Sequence, residues 1–319
     1  MIVAAPCGEK DVEFVHQPVM LSEVLSFAGQ VGVRRIVDCT VGGAGHARAL
    51  LTAHPDAELL GLDRDPEAVT AATAALSGFG NRAHVTHADF SAARAAMNAR
   101  GWAAADVILA DLGVSSHQLE MPGRGFSFRF DAALDMRMDP TTGESAAELI
   151  ATVDERELAR IIAEWGEEKR ARRVAQQIVR ARPTTTAALA QVVRGVVPKS
   201  KDGLDPATRT FQALRIKVNR ELDELSSLLV QLPELLSDGA VAIVLSYHSL
   251  EDRAVKTEFR MQARDCICPP ELPQCRCSHH STLKILTPRP LRPTSAELAT
   301  NTRAASAKLR AATRLPRPS

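Results

Sequence analysis

The chain has 319 residues, 45% hydrophobic and 24% charged, enough to bury one large core with an appendage or two separate cores. Its apolar runs, such as AVAIVL, are far too short to cross a bilayer as a helix, and MIVAAPCGEK has no basic stretch ahead of an apolar one, so no membrane-spanning helix and a cytoplasmic protein are expected. The net charge of +1 conceals two basic blocks: twelve Lys and Arg against two acids from Lys169 to Lys217, and eight against one from Lys284 to Ser319. Basic blocks beside an acidic remainder point to a polyanion, nucleic acid first.

In chain order, RRIVDCTVG (34–42), AELLGLDRD (57–65), AHVTHADF (83–90) and ADVILADLG (105–113) read as buried strands, each closing on an aspartate. The alanine-rich GHARALLTA, PEAVTAATAAL and SAARAAMNAR between them have helical spacing. This alternation predicts an α/β fold with a doubly wound parallel sheet, whose ligand lies at the carboxyl ends of the strands. After Asp111 the alternation stops, and residues 146–195 are helical with no strand of comparable strength. The sheet pattern resumes with one helix, RTFQALRIKVNRELDELSSLLVQL, and the strand GAVAIVLSYHS, while STLKILTPRPL adds one or two strands. The expected organisation is an N-terminal extension (1–15), a sheet domain (16–118 and 210–295), an inserted helical domain for substrate recognition (119–209) and an extended basic tail (296–319).

The turn VDCTVGGAGHARAL runs from a strand into a helix, the setting in which glycines let backbone N–H groups approach a ligand. It is neither the G-x-G-x-x-G of dinucleotide sites nor a P-loop, which needs a lysine. An acid followed by a glycine loop, with Asp63 at the next strand end and Asp89-Phe90 at the third, suits a cofactor without a pyrophosphate, and S-adenosylmethionine is the natural candidate. Asp63 then takes the ribose diol, Phe90 the adenine and residues 42–46 the methionine end. An isolated glycine cluster is more often an ordinary tight turn, so the reading rests on the three strand-end features in order.

The segments HQPVMLSEVL, DCTVGGAGHA, GLDRDPEA, ADF, ADLGVSSHQL, RGFSF, LDMRMD, EWGEEKRARRVAQQI, ATRTFQALRIKVNREL and LSYHSLEDRAVK, taken together from His16 to about Arg314, resemble the bacterial small-subunit ribosomal RNA cytosine-N4 methyltransferases. The resemblance implies a Rossmann-like S-adenosylmethionine-dependent methyltransferase sheet with an inserted helical domain. It also implies methylation of the exocyclic N4 amine of a cytosine in the decoding centre of 16S rRNA, within the small subunit or its assembly intermediate. Carried over motif by motif, the cofactor contacts fall on Ala44, Gly45, His46, Asp63, Phe90, Asp111 and Gln118.

For the chemistry, Asp111 stands at the fourth strand end, where amine-directed methyltransferases usually carry an acidic or amide residue before a proline pair, a pattern that DLGV replaces here. SYHS at the fifth strand end supplies Tyr247 to stack the base and His248 to accept a proton, so Asp111 and His248 are the expected catalytic pair. Ser249 with Asp252 would cap the following helix. Lys169, Arg170, Arg172, Arg173, Lys199, Lys201 and Arg310 are the expected phosphate contacts. The alternative is that insert cations pair with Glu164, Glu167 and Glu168 on a solvated face. CICPPELPQCRC carries Cys266, Cys268, Cys275 and Cys277, but C-x-C departs from the C-x(2–4)-C of structural zinc sites, so reduced thiols and no metal are expected. Cys39 and the other cysteines are not evidently placed for C5 methylation, which needs a thiolate beside the base. A small-molecule methyltransferase would not need the segregated charge, a non-catalytic ribosome-assembly factor would not need Asp63, Phe90 and Asp111, and a nicotinamide dehydrogenase would need the missing glycine pattern.

Overall fold

The computed structural model describes residues 18–199, 203–269, 271–272 and 274–316. Among these residues, seven strands, β1 (Arg35–Asp38), β2 (Glu58–Asp63), β3 (Ala83–His87), β4 (Ala105–Asp111), β5 (Leu236–Ser246), β6 (Leu283–Ile285) and β7 (Lys308–Arg314), form one sheet in the order β3-β2-β1-β4-β5-β7-β6. The first five run parallel, and β7 lies antiparallel to both β5 and β6. Strand order reverses between β1 and β4, and the crevice beyond their carboxyl ends is where such sheets hold ligands. Side chains alternate across the sheet as the pleat requires. Ile36, Leu59, Val107, Leu109, Ile243 and Leu309 enter one core, and Val37, Leu60, Ile108, Val244 and Ala312 the other.

Helices α1 (Leu21–Ala28), α2 (Gly45–Ala53), α3 (Pro66–Leu76) and α4 (Ala93–Ala99) accompany the first strands. Asp65 caps α3, accepting from Glu67 N, with Pro66 preset at the first helical position. The short α5 (Ser116–Glu120) opens on a reciprocal Ser115–Gln118 capping box. The insert follows as α6 (Ala146–Thr152), α7 (Glu155–Gly166), α8 (Ala171–Ala181), α9 (Thr186–Arg194) and α10 (Thr208–Asn219), around a third core that includes Phe126, Leu134, Ile162, Ile178 and Leu214. Then come α11 (Glu221–Leu235), α12 (Ser249–Gln262) and α13 (Ser295–Thr300). Among the described residues no helix is long and apolar enough to cross a membrane.

Two boundaries differ from the sequence reading. The single helix expected after residue 209 is two, broken at Arg220 with φ 51°; Phe211 and Leu214 of α10 belong to the helical core, so the insert runs to Asn219. The expected basic tail is not a tail, because residues 308–314 form β7 inside the sheet. Its cations are engaged there. Arg310 Nε donates to Asp252 at 2.7 Å, and Arg314 donates to the carbonyls of Pro233 and Thr282 at 2.8 and 3.0 Å. Arg310 is 6% exposed, which removes it from the RNA contacts. The expected N-terminal extension and Lys201 lie outside the described residues.

Candidate active site

The strand ends gather the acids. Asp38 closes β1 fully buried, and its carboxyl is pushed up to about 7 by burial, with Asp111 and Asp63 adding repulsion against the pull of His46 and the Thr40 N–H. Asp63 closes β2, likewise raised by burial; it accepts Gly42 N at 2.9 Å and Asp65 N at 2.9 Å. The first bond pins the glycine loop to the second strand, with Gly42 at φ +48°. A Cβ on Gly45 would stand 2.6 Å from Pro18 Cγ, so this glycine is needed for packing whatever else it touches. Ala44 takes φ 62° to start α2.

His46, 7% exposed, lies between two anchors. Its Nε2 is 2.9 Å from the Val19 carbonyl, which can only accept, so Nε2 carries a hydrogen. Its Nδ1 faces Asp111 Oδ2 at 3.7 Å. On its other side Asp111 Oδ1 accepts the Tyr247 hydroxyl at 2.6 Å, and the Asp111 N–H donates to Thr40 Oγ1 at 2.7 Å. Burial, then the Asp111 charge, holds the Tyr247 phenol well above its ordinary value, so it stays a donor. The hydroxyl of Tyr247, the residue expected to stack a base, orients Asp111. An amine or cation seated beside Asp111 would meet a carboxylate acceptor already oriented by these contacts.

The remaining candidates sit around this centre. Phe90 begins a short 3-10 turn and packs half-buried against the second core, while Asp89 pairs with Arg64 at 2.8 Å. Gln118 is buried with both ends engaged, Nε2 donating to Asp65 Oδ2 at 2.8 Å and Oε1 accepting from Ser115 at 3.0 Å. These bonds tie it to the β2–α3 turn through Asp65. Cys39 is buried, and burial beside Asp38 drives its thiol far above the ordinary range, which leaves no thiolate there for attack on a base.

His248 is engaged at the start of α12. It, and not Ser249, caps α12: its Nδ1 accepts from Glu251 N at 3.3 Å, and its Nε2 lies 3.1 Å from Glu251 Oε1 without hydrogen-bond alignment. Ser249 and Arg253 reach across to Glu167 of the insert, the latter at 2.9 Å. Glu251 is held below its ordinary value, against burial, by His248 and Arg215, and Arg215 pairs with Glu221 at 2.7 Å. The cluster joins α10, α11 and α12 and is a structural joint between sheet and insert. His248→Ala should therefore cost roughly 1–2 kcal/mol, the range for losing a helix N-cap, measured by urea unfolding. Transfer at saturating cofactor and RNA should stay close to the wild-type rate; a variant of unchanged stability that lost the chemistry would restore His248 to catalysis.

Several organising residues carried no separable sequence signal. Arg124 of RGFSF, nearly buried, binds Asp65 at 2.9 Å and Glu67 at 3.1 Å and the Met138 carbonyl at 2.7 Å, tying α3 to the insert. Asn219 bonds Met136 O and Met138 N, each at 2.7 Å. The four late cysteines, expected as reduced thiols of a loop, stand with all Sγ atoms within 4.8 Å of one another.

The MraW methylase family matches residues 13–315 of the chain. The ribosomal RNA small subunit methyltransferase H of Citrifermentans bemidjiense is 48% identical over 305 residues, covering 93% of this chain and 98% of that protein. The protein of the same name from Thermomicrobium roseum is 45% identical over 312 residues, covering 96% of each. Among solved structures, an rRNA methylase from Streptococcus thermophilus aligns over 92% of this chain and 95% of that one at 8% identity and TM-score 0.41. On matches that span nearly its whole length, the chain belongs to the MraW methylase family.

Proposed function

We propose that the protein transfers a methyl group from S-adenosylmethionine to the exocyclic N4 amine of a cytosine in the decoding centre of 16S rRNA. The observation that carries the reading is the placement of Asp38, Asp63 and Asp111 at the ends of three neighbouring parallel strands beside the glycine loop, an acidic edge suited to a cationic ligand. The relatives' name, ribosomal RNA small subunit methyltransferase H, supports the RNA. The cofactor, when bound, supplies an electrophilic methyl group on a sulfonium. Asp63 is assigned to the ribose diol, Phe90 to the adenine, and Ala44, Gly45 and His46 to the methionine end, with Asp111 and Gln118 as further cofactor contacts.

The lone pair of a cytosine amine is delocalised into the ring, so the base must be extruded and held in line. Asp111, fixed by Tyr247 and Thr40, is assigned to accept an N4–H, localising the lone pair, and to take the proton directly or through water. The alkylated amine is strongly acidic, so a weak base is enough. Nucleoside mass spectrometry of small-subunit rRNA from cells lacking the gene should show loss of N4-methylated cytidine, and an unaltered profile would overturn the assignment.

The acid cluster also predicts a pH dependence. Asp38 favours its protonated form up to about 7, whereas a cation favours the ionised form. Cofactor affinity should then fall as pH drops below about 7, by at most about tenfold per pH unit, and level off above it. Calorimetry should show proton release on binding at pH 6, and Asp38→Asn should abolish both the slope and the release.

A further inference from the structure

Residues 263–282 connect α12 to β6 and fold back on themselves. The base of the excursion is pinned by Thr282, whose N–H donates to Gln262 O at 2.8 Å and whose hydroxyl donates to Gln262 Oε1 at 2.7 Å, and by Ser281 on Asp265 at 2.6 Å. Beyond that base, among the described residues, its large apolar side chains lie outside any core: Ile267 and Leu272 are 45% and 43% exposed. What meets there is sulfur. Cys266 and Cys275 Sγ are 3.4 Å apart, Cys275 and Cys277 3.5 Å, and Cys277 and Cys266 3.8 Å, with Cys268 inside the same 4.8 Å cluster.

These spacings are far beyond the roughly 2.05 Å of a disulfide and close to the roughly 3.8 Å that separates thiolates bound at about 2.3 Å in a tetrahedron. The two C-x-C segments are related by reciprocal bonds. Ile267 N, between Cys266 and Cys268, donates to Cys277 Sγ at 3.4 Å, and Arg276 N, between Cys275 and Cys277, donates to Cys268 Sγ at 3.3 Å. Amide donors to sulfur are the outer contacts that orient thiolate ligands. The one-residue spacing that argued against a metal is compatible with one, because in extended backbone residues i and i+2 share a face.

We propose that Cys266, Cys268, Cys275 and Cys277 bind one zinc ion and that this site closes the excursion between α12 and β6. Four thiolates complete a tetrahedral shell and leave no position for water, which makes the site structural. Soft sulfur ligands select zinc over magnesium or calcium.

The test uses the full, untagged chain purified under reducing conditions. Elemental analysis should find about one zinc per chain, and a zinc-binding dye should report its release as a mercurial titrates the thiols. The double variant Cys275→Ser with Cys277→Ser should lose at least about tenfold of the bound metal while retaining cofactor binding, which separates this site from the one at the strand ends. Should that variant fail to fold, the wild-type chain still decides: strong chelation should remove the zinc and lower its melting temperature, and added zinc should restore both. A chain that stays metal-free after dialysis against zinc, one that holds iron in place of zinc, or an intact non-reduced mass lighter by the hydrogens of oxidised cysteine pairs would each overturn the proposal.

Discussion

Asp111→Ala should slow single-turnover methylation at saturating RNA and cofactor by about 10²–10⁴-fold, the range for losing a positioned proton acceptor. Asp111 is the one acid at the strand ends held from three directions, by the Tyr247 hydroxyl, the Thr40 hydroxyl under its own N–H, and the His46 ring at 3.7 Å. Such restraint fixes an acceptor before the substrate arrives, which is the form in which electrostatic catalysis is strongest. Tyr247→Phe should produce a smaller loss of the same kind. It leaves the carboxylate in place but frees its orientation, so the rate constant should fall while RNA affinity holds. Because Asp111 is also assigned a cofactor contact, binding of both ligands must be measured separately. An Asp111→Ala enzyme that binds both and reacts at the wild-type rate would refute the placement of the reaction at β4.

Three of the parallel strands, β1, β2 and β4, were legible because each is a short apolar run closed by an acid, and their alignment then brings Asp38, Asp63 and Asp111 to one edge. What periodicity could not show was which polar residues are spent on architecture. His248 and Tyr247 are adjacent and chemically similar as candidates, yet the start of α12 turns one into a helix cap against Glu251 and the other onto Asp111. The last strand, KLRAATR, was hidden by its arginines. A buried arginine is rare unless paired, and only the fold reveals that Asp252 and main-chain carbonyls receive Arg310 and Arg314. The break at Arg220 had no glycine or proline to announce it; its left-handed backbone separates a helix of the insert from a helix of the sheet.

With Arg310 and Arg314 of the terminal block paired inside the sheet, the charge argument for RNA rests mainly on the insert, and it predicts a steep salt dependence there. Lys169, Arg172, Arg173 and Arg180 are exposed on and beside α8, with no acidic partner within ion-pair distance among the described residues. The acids that could have neutralised them are used elsewhere. Glu164 pairs with Arg160, Glu167 with Arg253 and Ser249, and Glu168 accepts the Arg170 N–H at 2.8 Å. The same face borders an open groove of about 610 Å³ between α8 and α9 that Arg173, Gln176, Gln177 and Gln191 help to line, offering cations for phosphates and amides for sugar or base edges. Arg170 is a poorer candidate than its neighbours, since it donates to the Val196 carbonyl at 2.9 Å. Replacing Lys169, Arg172, Arg173 and Arg180 together by glutamine should flatten the log–log dependence of RNA affinity on salt by about 0.7–0.9 per lost contact, so by roughly 3 in all if each meets a phosphate. Affinity should fall most at low salt, while unfolding and cofactor binding stay as in the wild type. If the quadruple variant binds RNA with the wild-type slope, these cations are merely a solvated helix face and the RNA is gripped elsewhere.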